Sequence, residues 1–254
     1  MKASICMAVY RRAEPLDKVL ASIRRQQVPF PYEIVVADDG SPTDDERRVC
    51  RRWDVEKYIR LDARPYYSSS VWARNAAYRA AVGDVLILQS SEVLHHHPKA
   101  IEVLSTILQP GSFVLGRTWN AFPDPKGIET PIGSRDPIAR VRLGQEYIGP
   151  VGAACRRPLF FLGAAWRHDV YAIGGNDEDF VYPGYEDNWF ADCLTEGRLL
   201  TPIWTEEPIG LHQDHERLAG MEVAVQEMGK LYYYKRSRAT RGELPWAGGE
   251  PWPL

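Results

Sequence analysis

The sequence predicts an α/β fold: a mostly parallel central sheet flanked by helices. Three observations carry that prediction. Short, continuous apolar runs recur in the first ninety residues, as in strands buried on both faces of a parallel sheet. Amphipathic helical patterns separate these runs. The second run, Glu33-Ile34-Val35-Val36-Ala37, ends in Asp38-Asp39-Gly40-Ser41, two carboxylates and a tight turn, where a doubly wound sheet opens its ligand crevice.

Residues 4–9 read as the first strand. Glu14-Pro15 starts a helix, since proline is tolerated in a first turn, and Leu16, Val19, Leu20 and Ile23 follow at the i, i+3, i+4, i+7 spacing of one apolar face. Residues 32–37 read as the second strand and 58–61 as the third. An Ala-rich helix over 72–82 leads through Gly83-Asp84 into a strand over 85–88. From 117 to 150 the texture turns Pro- and Gly-rich, as in Phe122-Pro123-Asp124-Pro125 and Ile132-Gly133-Ser134-Arg135-Asp136-Pro137. A loop this long is expected to be a lid or a mobile segment. Order returns over 160–166, in a helix from Tyr185 to about Gly197, and in a strand over 199–204 that leads to Leu211-His212-Gln213-Asp214-His215. The tail from Glu243, with Pro245, Gly248, Gly249, Pro251 and Pro253, reads as irregular. The expected division is one domain over 1–220, in two fused halves (about 1–95 and 96–220), followed by a basic helix and tail over 221–254.

With 254 residues, 44% of them hydrophobic and 26% charged, the chain has the composition of an ordinary globular protein and enough length for a large core. A formal charge of −3 gives no whole-molecule attraction to nucleic acid or to an anionic membrane, so partners must be argued from sites. Cys6, Cys50, Cys155 and Cys193 are widely spaced and form no Cys-x-x-Cys pair, which favours reduced thiols over a zinc or thioredoxin-like motif. The first residues lack the apolar core of a signal peptide, and no stretch approaches the roughly 18 apolar residues of a membrane span. The expectation is a soluble, cytoplasmic protein.

Several runs suit chemistry as well as structure. Asp38-Asp39-Gly40-Ser41 makes a turn and a helix cap in its own right. Arg74, in Ala73-Arg74-Asn75, has the planar fork that pairs with phosphate oxygens, although a solvated helix face is also expected there. Glu186 and Asp187, in Gly184-Tyr185-Glu186-Asp187, suit a helix N-terminus through the macrodipole alone. His95-His96-His97 looks like a metal cluster but reads otherwise, because adjacent side chains point in different directions. Lys230, Lys235, Arg236, Arg238 and Arg241 are interleaved with Tyr232, Tyr233 and Tyr234. They form either a solvated helix face or a phosphate-tracking surface with aromatic stacking. Trp119, Trp166, Trp189 and Trp204 are able to stack on a sugar, but tryptophans serve mainly as core.

In this order, over residues 3–215, these runs resemble the inverting family 2 glycosyltransferases of the GT-A fold, in the nucleotide-diphospho-sugar transferase superfamily. The resemblance implies a Rossmann-like nucleotide-binding half fused to an acceptor half. It also implies transfer of a sugar, from a nucleotide-sugar donor such as a UDP-sugar, with inversion. Asp39 would accept hydrogen bonds from base or ribose beside Asp38, Tyr10 would stack on the base, and Ala8 stands where the family often has Pro or Thr. Arg74 would hold donor phosphate. After Gly83-Asp84 the family has an Asp-x-Asp that holds a divalent cation; here the run is Ser90-Ser91-Glu92. Two readings follow: Mn²⁺ or Mg²⁺ held by Glu92 and His212, which is preferred, or a metal-poor site in which Arg74 and other cations neutralise the diphosphate. Gly174-Gly175-Asn176-Asp177-Glu178-Asp179-Phe180 resembles the family's lead-in to the Glu-Asp pair, which would make Asp187 the general base beside Glu186 and put Trp189 near the acceptor. The family's arginine some five residues after that pair is Asp192 here. The acceptor would be a glycan or, through Lys230–Arg241, a modified nucleic-acid base. The rivals are a nucleotidyltransferase, which needs a Gly-rich loop where Tyr10-Arg11-Arg12 stands, and a non-catalytic glycan-binding module.

Overall fold

The computed structural model describes residues 1–63, 69–121, 158–213 and 221–254. Its first half follows the predicted alternation. Strands β1 (Ala3–Val9), β2 (Tyr32–Asp38), β3 (Lys57–Arg60) and β4 (Val85–Ser90) are joined by helices α1 (Ala13–Arg24), α2 (Asp45–Arg52) and α3 (Val71–Ala80). All are parallel: β1 pairs with β2 on one side and β4 on the other, and β3 lies outside β2. The chain therefore changes direction across the sheet between β1 and β4, which opens a crevice beyond the carboxyl ends of these strands.

Alternate strand residues feed two cores, as the pleat requires. Ile5, Met7, Ile34, Val36 and Ile87 pack under α1 through Leu16, Val19, Leu20 and Ile23. Cys6, Val35, Ala37, Leu86 and Leu88 face the opposite side, against Val71, Ala73, Ala77 and Tyr78 of α3. Cys6, Cys50 and Cys193 are buried free thiols; Cys155 lies outside the described residues.

The second half is mixed. Strands β5 (Val93–His95), β6 (Ser112–Ala121), β7 (Leu162–Trp166) and β8 (Thr201–Gln213) complete an eight-stranded sheet of order β3-β2-β1-β4-β7-β6-β8-β5. β7 runs antiparallel to β4 and β6, β8 parallel to β6, and β5 antiparallel to β8. The other helices among the described residues are α4 (Ala100–Ile107), α5 (Arg167–Ala172), α6 (Glu186–Asp192), followed by a π-type turn at Cys193–Gly197, and α7 (Met221–Thr240).

Here the structure corrects several sequence expectations. Residues 117–121, expected as loop, extend β6 through register shifts around Arg117, so irregular pairing rather than absent structure explains the lost periodicity. The rest of that stretch, with Phe122–Pro125 and Ile132–Pro137, lies outside the described residues. The strand expected from Leu199 begins at Thr201, because Leu199 is exposed with φ 56° in the left-handed region, and it continues unbroken to Gln213. Helices α2 and α4 and the short β5 were not foreseen. Residues 241–254 form no helix or strand, as expected, yet they are tied down. The amide of Gly248 donates to the Ile173 carbonyl (2.7 Å) and that of Trp252 to the Tyr171 carbonyl (2.9 Å), while the Arg79 guanidinium lies 4.2 Å from the Trp252 ring centroid. A Cβ at Gly248 would sit 2.0 Å from the Gly175 carbonyl oxygen, so only glycine fits that approach. Met228, Tyr232 and Ala239 of α7 are buried in the same core as α3, so the terminal helix packs on the domain.

Candidate active site

The crevice at the strand ends holds a cavity of about 380 Å³. Nine of the residues singled out from sequence line it: Ala8 at the end of β1 and Tyr10 just after it, Asp39 after β2, Arg74 on α3, Ser90 at the end of β4 with Ser91 and Glu92 following, Glu186 at the start of α6, and His212 on β8. Residues more than 200 positions apart thus meet because β1, β2 and β4 end at one edge and β8 returns beside β5, pairing His212 with Val93.

The turn after β2 divides labour between its two carboxylates. Asp38 does not line the cavity; fully buried, it accepts from the Ser41 amide (2.8 Å) and the Tyr58 hydroxyl (2.6 Å) and so holds the turn. Burial and the Asp38 charge together raise the Tyr58 phenol, which keeps it a neutral donor. Gly40, at φ 79°, lets the chain reverse, and Asp39, its amide bonded to the Val9 carbonyl (2.8 Å), is carried onto the cavity wall.

Opposite, Gly184 (φ 119°) and Tyr185 (φ 65°) both take left-handed conformations that turn the chain sharply into α6. Tyr185 is held there by stacking on Tyr232 of α7, ring centroids 5.3 Å apart. The two carboxylates that follow diverge. Glu186 lines the cavity and accepts from the Gly184 amide (2.5 Å). Burial, reinforced by the neighbouring Asp187 charge and opposed by Arg74, raises its pKa above the ordinary 4.5. Asp187 lies behind, buried, accepting from Arg74 Nη1 (2.5 Å) and the Phe160 amide (3.1 Å). Burial alone would push the Arg74 guanidinium down; the charges of Asp187, Tyr78 and Glu186 outweigh it, so the group stays positive on the cavity wall. Asn75, the next residue of that motif, binds the Asn176 carbonyl (2.9 Å) and amide (2.8 Å), fixing α3 to the Gly174–Asn176 turn.

Two sequence expectations do not fit this arrangement. Trp189 does not line the cavity: at 1% exposure it packs on Trp246 and its indole donates to the Ala247 carbonyl, which makes it core rather than an acceptor platform. The Glu92 and His212 pair lines the cavity, but Glu92 is engaged by the Ser90 hydroxyl and lies 3.5 Å from Arg12 Nε, while His212 rests against the Phe161 ring. Among the described residues, no three His, Cys, Asp or Glu side chains gather as a metal-holding group. A divalent cation wants several oxygen ligands without a guanidinium beside them, so these residues do not make a ready cation site. His215 lies outside the described residues, as does the side chain of Trp119.

The histidine run behaves as its spacing predicts. His95 is buried on β5, its Nε2 2.8 Å from Gln89 Oε1, and burial pushes its pKa down to about 3, so it is a neutral core residue. The basic stretch on α7 is matched by acids from elsewhere: Lys230 with Glu227, Lys235 with Asp177 and Asp179, Arg236 with Asp192, and Arg238 and Arg241 with Glu243. Sequence reasoning missed Arg11 and Arg12, which also line the cavity. Their charge was visible beside Tyr10, but their direction depends on the turn after β1.

Residues 4–160 match the family model "Glycosyl transferase family 2". The chain belongs to that family. The match ends before Glu186 and Asp187. The validoxylamine A glucosyltransferase of Streptomyces hygroscopicus subsp. jinggangensis is 26% identical over 96% of this chain and 63% of its own length. The chondroitin synthase of Escherichia coli is 24% identical over 92% of this chain and 39% of its own. The chain thus spans less than two thirds of these curated relatives. Among solved structures, the mannosyltransferase PcManGT from Pyrobaculum calidifontis, in complex with GDP-Man and Mn²⁺, aligns with TM-score 0.55 at 17% identity, over 98% of this chain and 65% of that one. S. aureus TarS 1-349 in complex with UDP-GlcNAc aligns with TM-score 0.54 at 16% identity, over 86% of this chain and 60% of that one. These likenesses support the GT-A-like fold. Among the described residues, no helix is long and apolar enough to cross a membrane.

Proposed function

We propose that this family 2 member transfers a sugar from a nucleoside-diphosphate donor, a UDP-sugar first among the candidates, to an acceptor hydroxyl with inversion. The observation that carries the reading is one cavity at the strand-order reversal, lined together by Tyr10, Asp39, Arg74 and Glu186. The nucleoside lies against Tyr10 and Asp39, and the diphosphate turns toward the arginines, where its developing charge is stabilised as the bond to the sugar breaks. A carboxylate on the opposite face takes the acceptor proton as its oxygen attacks, and one base with one leaving group gives inversion.

Asp187 is that base on the family resemblance, and it is ion-paired with Arg74. It reaches an acceptor once Arg74 swings toward the diphosphate. A second reading makes Glu186 the base, and one observation favours it: Glu186, unlike Asp187, lines the cavity. The acceptor is a glycan or another hydroxyl compound; the paired cations of α7 argue against nucleic acid, whose phosphates would compete with five carboxylates already in place.

Incubation with UDP-, GDP- and ADP-sugars, followed by NMR, tests this reading. The expected result is donor cleavage or transfer with one nucleotide strongly preferred, and a product of opposite anomeric configuration. Absence of both cleavage and nucleotide binding across the panel contradicts it and favours a glycan-binding module.

A further inference from the structure

The turn between β1 and α1 carries two arginines whose placement is built, not incidental. Arg11 has φ 52°, a left-handed conformation unfavourable for a residue with a side chain. Two side chains hold it there, Ser41 from the turn after β2 and Glu46 from the first turn of α2. The Arg11 amide donates to the Ser41 hydroxyl (3.0 Å), and the Arg12 amide donates to Glu46 Oε1 (2.9 Å); both acceptors are buried. Arg11 and Arg12 both line the cavity beside Ser90, Ser91 and Glu92; Arg12 Nε lies 3.5 Å from Glu92 Oε1 and its Nη1 donates to the Arg11 carbonyl (3.2 Å).

The chemistry of that lip is reversed relative to the Asp-x-Asp pattern. The first aspartate position is Ser90, which removes one negative charge, and the second is Glu92. The remaining carboxylate, Glu92, has Arg12 Nε at 3.5 Å and takes the Ser90 hydroxyl as a donor. A guanidinium therefore stands where a cation-binding carboxylate pair would call for a divalent ion. Arg74 faces the same space from α3.

We propose that Arg12, aided by Arg11, binds the donor diphosphate directly, so that nucleoside-diphosphate binding here does not depend on a divalent cation. This rests on the donor reading above and goes beyond it by naming the phosphate-binding group and the metal dependence. Guanidinium suits the task because its fork meets two phosphate oxygens and its charge does not titrate. The same geometry gives Arg12 a second effect: its charge beside Glu92 disfavours a dication at that carboxylate.

Calorimetry of UDP, GDP and ADP, each beside its nucleoside, in EDTA and in excess Mn²⁺, tests this on the wild type, Arg12→Gln and Arg12→Lys. In EDTA the wild type is expected to bind its preferred diphosphate more tightly than the nucleoside. Arg12→Gln should lose about tenfold or more in diphosphate affinity, as for a lost charge-assisted contact, with nucleoside affinity unchanged, and Arg12→Lys should recover part. Mn²⁺ should strengthen diphosphate binding to Arg12→Gln more than to wild type, because Glu92 has lost its guanidinium neighbour. Wild-type binding that vanishes in EDTA, or an Arg12→Gln variant that binds diphosphate as tightly as wild type, overturns the proposal. A wild type that binds no nucleotide with or without Mn²⁺ overturns the donor reading beneath it.

Discussion

Asp187→Asn is expected to lower transfer by about 10²–10⁴-fold, the usual worth of a positioned base, while affinity for the donor nucleotide stays close to wild type. The amide preserves the volume and can still accept from the Phe160 amide and Arg74, so the local hydrogen bonds are largely kept while the negative charge and proton-accepting power are lost. Single-turnover kinetics beside equilibrium binding separate these effects. Glu186→Gln is the control. If Asp187 is the base, Glu186→Gln retains most of its turnover; if Glu186 is, the losses exchange places. The pH profile adds an independent sign. Burial and the Asp187 charge raise Glu186, so the wild-type acidic limb of kcat/KM lies above the ordinary carboxylate value of 4.5, and activity rises with pH as the proton leaves. Removing the Asp187 charge in Asp187→Asn moves the residual titration of Glu186 downward.

Arg74→Leu should be the most damaging single change to stability among the cavity residues. Its pair with Asp187 is mostly buried, with side-chain exposures of 16% and 9%, and truncation strands the carboxylate. The expected cost is about 3–5 kcal/mol, read as a lower denaturant midpoint at unchanged slope. Adding Asp187→Leu should restore much of that stability, because an apolar pair leaves no stranded charge, yet it should restore no activity. If Arg74→Leu is as stable as wild type, the ion pair does not organise this wall.

The first half of the fold was legible because the parallel strands read as continuous apolar runs and α1 shows its face at regular spacing, so β1, β2, β4 and α1 fall close to their predicted places. The short elements were not. β5 has three residues, and α2 reads Asp-Glu-Arg-Arg-Val-Cys-Arg-Arg, with only Val49 and Cys50 as buried apolar positions. Motif spacing identified most of the cavity because catalytic side chains gather at strand ends, whose positions follow from the strands themselves. It failed where direction depends on contacts distant in sequence. Glu186 and Asp187 are neighbours in sequence, yet one lines the cavity and the other faces Arg74, an outcome of the left-handed Gly184-Tyr185 turn held by Tyr232. Trp189 read as an acceptor contact from its nearness to that pair, but on a helix a residue two positions from Asp187 points to another face, here toward Trp246 and the tail. The arginines after Tyr10 were visible only as charge, since nothing local announces the left-handed bend at Arg11.

The measurement that tests the central claim most directly is a crystal structure with a nucleoside diphosphate bound, beside the affinity of Asp39→Ala for the same nucleotide. The account predicts the base against Tyr10 and Asp39, the phosphates between Arg12 and Arg74, and an affinity loss of about tenfold or more in the variant. Nucleotide bound elsewhere, with Asp39→Ala unaffected, would contradict it.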